Sequence, residues 1–215
     1  FNHLGAHAWV EAGLPLKDYG RCGRPPSCEV DARDADILRS YVIRANVGDE
    51  LQVAVTNKLD KPTSMHWHGI ALQNNMDGAM PATPNIPAGG AFTYKFSVPD
   101  SGTYWAHPHT GVEADTGLYL PLIIDDPKAP VDYDAEWIVM MDDWTDGVGR
   151  SPQTIFEDLR KGGMGAMGGG GESKLLGGDP GDVIYPYYII NGRIPDAPTT
   201  FAAKPGQRIR IRFIN

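Results

Sequence analysis

From residue 36 onward the chain repeats one pattern: a short run of alternating apolar and polar residues, then a turn. LRSYVIRA (38–45) runs into Val47-Gly48-Asp49, LQVAV (51–55) into a polar turn at 57–62, and AFTYKFSV (91–98) into a turn at 99–102. Residues 64–70, 103–109 and 118–124 have the same strand character, and Asp125-Asp126-Pro127 closes the series. Short strands at this spacing, in a chain with 26 Gly and 18 Pro, indicate a β-sandwich or barrel. At 215 residues and 41% hydrophobic content there is enough for one large all-β domain or one and a half ordinary ones. No apolar run approaches the roughly 18 residues a membrane span needs. A net charge of −8 without a basic cluster argues against nucleic acid or an anionic membrane surface as partner.

Four of the six histidines lie in two H-x-H pairs, His66/His68 and His107/His109, each within a strand-like run. On a strand, residues i and i+2 face the same way, roughly 6.6 Å apart along the axis. Each pair therefore directs two imidazoles into one space, and if the strands are neighbours all four converge. Neutral imidazole ligates zinc, copper, iron and nickel, so the pattern reads as a metal site with room for more than one ion. Trp67 and Trp105 stand beside the pairs and are expected to pack around the ligands. Pro108 lacks an N–H and favours an extended His107, which stiffens the second pair.

Residues 1–35 are irregular and carry both cysteines, in RCGRPPSC. Cys22 and Cys28 are expected to form a local disulfide, which would imply an oxidising compartment; the alternative is a pair of free thiols or a soft metal site. His3 and His7 have helical spacing, but Gly5 between them favours a solvated tail. The first folded unit is expected over 36–127 and a second over 128–215. The second begins with a buried-type strand at 137–141 and a helix opened by Ser151-Pro152. Residues 162–171 are nearly all Gly, with Met164 and Met167, and read as a flexible loop whose thioethers would suit cuprous copper. A further strand is expected over 183–190. PGQRIRIRFIN (205–215) echoes VGDELQVAVTN (47–57), the element that leads into the first histidine pair. The second unit is therefore expected to be only the first half of a domain, its remainder lying in the same polypeptide or in another chain.

HWHG (66–69), MDG (76–78), IPAGGAFTYKF (86–96), GTYWAHPHTG (102–111) and GLYLPLII (117–124) together resemble the multicopper oxidase family, laccases and bacterial copper oxidases included. The likeness is strong over 36–127 and continues through DDWTDG (142–147) and SPQTIFEDL (151–159) in the manner of bacterial three-domain members. It implies cupredoxin-like Greek-key β-sandwiches, here one domain followed by the first half of a second. It implies copper: His66 as a type 2 ligand, and His68, His107 and His109 as type 3 ligands of a trinuclear cluster. Asp77 matches an acidic residue that relays protons beside that cluster. The reaction implied is one-electron oxidation of phenolic, aromatic or metal-ion substrates coupled to reduction of O2 to water, outside the cytoplasm in the envelope, periplasm or medium. The type 1 copper of the family needs a Cys flanked by His, and no His follows residue 109. This chain would thus supply half of the trinuclear ligands and alone would be inactive. Two other readings are a copper-binding or storage module without turnover and a zinc hydrolase. The hydrolase is the weaker, since no carboxylate ligand or general base occupies the usual positions.

Overall fold

The computed structural model describes residues 42–130, 132–162, 183 and 185–215. Cys22, Cys28, His3, His7, nearly all of the Gly/Met stretch and the onset of the first expected strand lie outside them. Among the described residues, nine strands and one α-helix follow in order: β1 (Ile43–Asn46), β2 (Glu50–Thr56), β3 (His66–His68), β4 (Ala91–Ser97), β5 (Gly102–His107), β6 (Leu120–Asp125), β7 (Ala135–Trp144), α1 (Pro152–Gly162), β8 (Tyr187–Ile190) and β9 (Ile209–Ile214).

The first unit is a two-layer sandwich. One layer is β1-β6-β5-β3, with β1 parallel to β6 and the other pairs antiparallel. The other is the antiparallel pair β2-β4, in register from Glu50↔Ser97 to Thr56↔Ala91. Alternation selects the inward faces: Val53 and Val55 from β2, Tyr94 and Phe96 from β4, Leu120, Leu122 and Ile124 from β6 form one buried cluster with Trp67 and Ala106. Trp67 meets Tyr94 edge-on at 5.4 Å and Phe96 at 4.8 Å between ring centroids. Ile123 is equally buried but lies outside that cluster. The pleat turns it to the opposite face, which the second unit covers.

That second unit is the sheet β8-β7-β9, with β7 antiparallel to β8 and parallel to β9. Arg212 of β9, only 5% exposed, joins the units: it donates to Thr103 Oγ1 at 2.9 Å, to Asp125 Oδ1 at 3.1 Å and to Glu136. Arg44 donates to Asp125 at 3.0 Å and also bonds Glu136. Burial opposes ionisation of Glu136, but its two guanidinium partners outweigh burial and hold its carboxyl below the ordinary range. Helix α1 starts as its sequence signals indicate. Ser151 Oγ accepts from the Thr154 N–H at 3.2 Å, Pro152 opens the first turn, and Arg160 and Lys161 lie in the last. The echoed segments 47–57 and 205–215 both contain strands, yet β2 pairs antiparallel in the small layer while β9 runs parallel to β7.

Candidate metal centre

β3 and β5 are neighbours, with His66 opposite His107, Trp67 opposite Ala106 and His68 opposite Trp105. Trp67 and Ala106 point into the core and are fully buried. The pleat therefore places His66, His68, Trp105 and His107 together on the other face. The second histidine pair differs from the strand expectation. β5 ends at His107, and His109 lies on the turn beyond it. Pro108 is the physical reason, since it has no N–H with which to extend the ladder. His109 is held instead by its backbone N–H, which donates to Ser64 Oγ at 2.8 Å just ahead of β3.

The rings of His66 and His109 stand 4.6 Å apart, His66 and His107 5.3 Å, and His107 and His109 5.4 Å. A ligand nitrogen from each of these three lies within 4.8 Å of the others. His68 joins through His107, with 3.1 Å between its Nδ1 and His107 Nε2. Two backbone carbonyls fix how the rings present themselves. His66 Nδ1 donates to the Asp77 carbonyl at 2.8 Å, and His107 Nδ1 to the Pro108 carbonyl at 3.0 Å. Each bond puts the ring proton on Nδ1 and leaves Nε2 as the acceptor nitrogen, which in His107 faces His68 Nδ1. Burial first, then the neighbouring imidazoles, pushes His107 down to about 4, a shift that its Pro108 bond opposes. The same two causes lower His68. Both rings are thus neutral at ordinary pH, the form that ligates.

Asp77 reaches the site on a loop whose sequence reads simply as Asn/Pro/Gly-rich connection. The loop is folded and pinned. Thr83 Oγ1 donates to the Asn74 carbonyl at 2.8 Å and accepts the Gly78 N–H at 3.0 Å. Gly78 has φ +78°, and a Cβ there would lie 1.7 Å from the Met65 carbonyl oxygen. Only glycine lets MDG press this closely on the residue before His66. Besides its carbonyl, Asp77 places carboxylate Oδ1 3.3 Å from His66 Nδ1.

Trp105 and Tyr119 stand beside the cluster, and a buried carboxylate follows His109 in the chain. Trp105 stacks on His107 at 4.0 Å and 24° and on His68 at 5.3 Å and 26°. Tyr119 stands edge-on behind Trp105 at 6.4 Å and donates its hydroxyl to Asp142 of β7 at 2.7 Å. Glu113, buried four residues past His109, pairs with Lys61 at 2.8 Å. Sequence reading singles out neither Tyr119, Asp142 nor Glu113 individually, because their partners lie 23 and 52 residues away and no local spacing records such pairs.

A set of imidazoles close enough to share ions fits copper, and copper(II) heads the affinity order for such ligands. Comparison with known proteins agrees with the donor chemistry. The family model for multicopper oxidases matches residues 39–129. The multicopper oxidase MmcO of Mycobacterium tuberculosis is 62% identical over 182 residues, 81% of this chain and 36% of that protein. This chain belongs to the multicopper oxidase family. Copper resistance protein A of Pseudomonas syringae pv. tomato is 35% identical over 83% of the chain and 34% of its own length. The crystal structure of the blue copper oxidase from Nitrosomonas europaea superposes with a TM-score of 0.59 at 30% identity, over 80% of this chain and 50% of that one. The chain thus spans about a third of the length of these curated relatives. The expected all-β, cupredoxin-like architecture holds: strands dominate and the structural neighbours are cupredoxin-like multicopper oxidases.

Proposed function

We propose that this chain forms the first domain, 36–127, and the opening half of a second cupredoxin-like domain, 128–215, of a copper-dependent oxidase. In that protein a phenolic, aromatic or low-valent metal substrate is oxidised and O2 is reduced to water. The observation that carries the reading is the His66↔His107 register, which brings His66, His68 and His107 to one face beside His109 on the adjoining turn, with two carbonyls holding Nδ1 of His66 and His107. His66 would hold a type 2 copper, and His68, His107 and His109 type 3 coppers. Bound copper supplies the one-electron steps that O2 reduction requires. The chain's own residues do the rest. The Asp77 carbonyl orients His66, the Pro108 carbonyl orients His107, and Trp105 covers two of the rings. The Asp77 carboxylate, beside His66, holds and passes a proton. Remaining ligands and the type 1 site would come from outside these residues, in the same polypeptide or another chain, and the protein would work in the periplasm, envelope or medium.

The test is metal analysis with electron paramagnetic resonance on the intact protein. His107→Ala and His68→Ala are expected to lose copper and O2 reduction; wild-type copper content in either overturns the ligand assignment. Asp77→Asn keeps the backbone carbonyl, so copper should stay while O2 reduction slows. Unchanged turnover would remove the proton role. Colourless binding of Cu(I) without turnover would replace the oxidase by a storage module.

A further inference from the structure

The face of β3 and β5 that bears the imidazoles has one sequence of contacts leading into the second unit. His68 and His107 lie against Trp105 at 5.3 and 4.0 Å, nearly parallel to it. Trp105 has Tyr119 at its edge, 6.4 Å between centroids and 68° between planes. The Tyr119 hydroxyl ends on Asp142 Oδ2 at 2.7 Å, near the C-terminal end of β7. An aromatic stack has little directional stiffness of its own, since both offset-stacked and edge-on arrangements are favoured. A hydrogen bond to a charged acceptor is both stronger and directional. His107 is also held by its own Pro108 bond, but from Trp105 outward the strongly directional contact is the Tyr119–Asp142 bond at the far end.

We propose that Tyr119 and Asp142 are positioning residues, acting through Trp105 to set the pitch of the His68 and His107 rings. The ionisable groups around Asp142 are consistent with a bond that matters. Tyr119, Asp143 and Asp115 act on it, and Tyr185 stands near all three carboxylates. Burial first and then Asp143 and Asp115 push the Asp142 carboxyl up to about 6, against the opposing pull of the Tyr119 bond. Burial, then Asp142, raises the Tyr119 phenol, so the hydroxyl keeps its proton and donates throughout the working range of pH. Asp143 and Asp115 are also raised by burial, and Tyr185 is pushed up to about 12. At neutral pH Asp142 is the anion to which Tyr119 donates.

The ring arrangement stands on geometry alone; its bearing on copper rests on the ligand reading above. The two are separated by measuring both metal-free and copper-loaded intact protein. In metal-free protein with isotopically labelled histidine, stacking on Trp105 holds the His68 and His107 ring protons upfield. Tyr119→Phe and Asp142→Ala are expected to move both downfield while His66, which does not touch Trp105, stays put. Asp142→Asn retains a carbonyl acceptor for the hydroxyl and should restore the wild-type shifts. In loaded protein, Tyr119→Phe should keep its copper content but change the copper(II) resonance spectrum. Unmoved His68 and His107 shifts in Tyr119→Phe, or Asp142→Asn matching Asp142→Ala, overturn the proposal. A loss of thermal stability without those shifts marks a purely structural role and also overturns it. Protein that binds no copper yet shows the predicted shifts would sink the ligand reading and leave the positioning role intact.

Discussion

Among the described residues, the sheet β1-β6-β5-β3 buries side chains on both faces over most of its width, whereas β8-β7-β9 leaves much of one face open. Inside the first, the core cluster of the sandwich lies on one side and the Arg212–Asp125–Glu136 network on the other. On the second, the side bearing Glu136 and Arg212 meets the first unit. The opposite side leaves Phe213 62% exposed and Tyr188 72%, with Ile190 and Ile211 also open among the described residues. Along β9 the polarity is inverted: Arg212 is inside and Phe213 outside. Alternation creates two faces, but what each face meets decides which is buried. A guanidinium is admitted because two carboxylates and a threonine hydroxyl receive it. Three of the four proposed ligands stand on or at the end of the better-buttressed sheet's strands and the fourth on the turn beyond, a placement suited to ligands that must keep close geometry.

Four substitutions, one of them followed across pH, sharpen this contrast. The largest effect is expected at Trp67, which is fully buried between two histidines of opposite facing and packs on Tyr94 and Phe96. Trp67→Ala should cost about 3–5 kcal/mol in chemical denaturation and lower copper content as well, since His66 and His68 lose the residue that anchors their strand. A cost under about 1 kcal/mol would show that the first unit is not the tighter of the two. Next comes Glu136→Gln, which withdraws one carboxylate from Arg212 and Arg44. With Arg212 left short of a buried partner, a loss of about 3 kcal/mol is expected. If the unfolding midpoint does not move, the network is not what joins the units.

The two regions should also respond to pH with opposite signs. His107 is pushed down to about 4, below its ordinary 6.5. Its contribution to stability is present above about 6.5 and lost as pH falls through 4, so the metal-free histidine site weakens in acid. Asp142 is pushed up to about 6 from 3.8. Its contribution is complete below about 3.8 and lost as pH rises through 6, so the interface weakens toward alkaline pH. Asp142→Asn should therefore be more stable than wild type above pH 6, with the gap closing near pH 4. Melting temperatures across pH 4–8 check this, and a gap that widens in acid would reverse the assignment.

Much of this arrangement can be read from the sequence. Strands appear where LQVAV, AFTYKFSV and RIRIRFI alternate, and the two H-x-H pairs mark the site. The pairing of β3 with β5 is long-range, so convergence of His66 and His107 is only a conditional reading until the register is known. The carbonyls of Asp77 and Pro108 are hidden for another reason: they are backbone groups, and any residue supplies one. Pro108 does announce a stiff segment, but its effect is to end the strand rather than extend it to His109. The loop around Asp77 reads as connection because its order depends on Thr83 and on the close approach of Gly78 to Met65, both set by the fold. The Tyr119–Asp142 bond crosses between units, where nearest-neighbour patterns carry no information.

The smallest expected effect tests the open face of β8-β7-β9. Phe213 is on the side away from Arg212, and its ring has few neighbours to lose. Phe213→Ser is therefore expected to change the unfolding free energy of this 215-residue chain by no more than about 0.5 kcal/mol, as for other exposed positions. It should also raise solubility, because an apolar ring leaves a surface shared with Ile211 and Ile190. Trp67→Ala in the same denaturation series is the internal control for a covered aromatic. If Phe213→Ser costs several kcal/mol instead, approaching the Trp67 value, another segment lies over this face, and the contrast between the two sheets disappears.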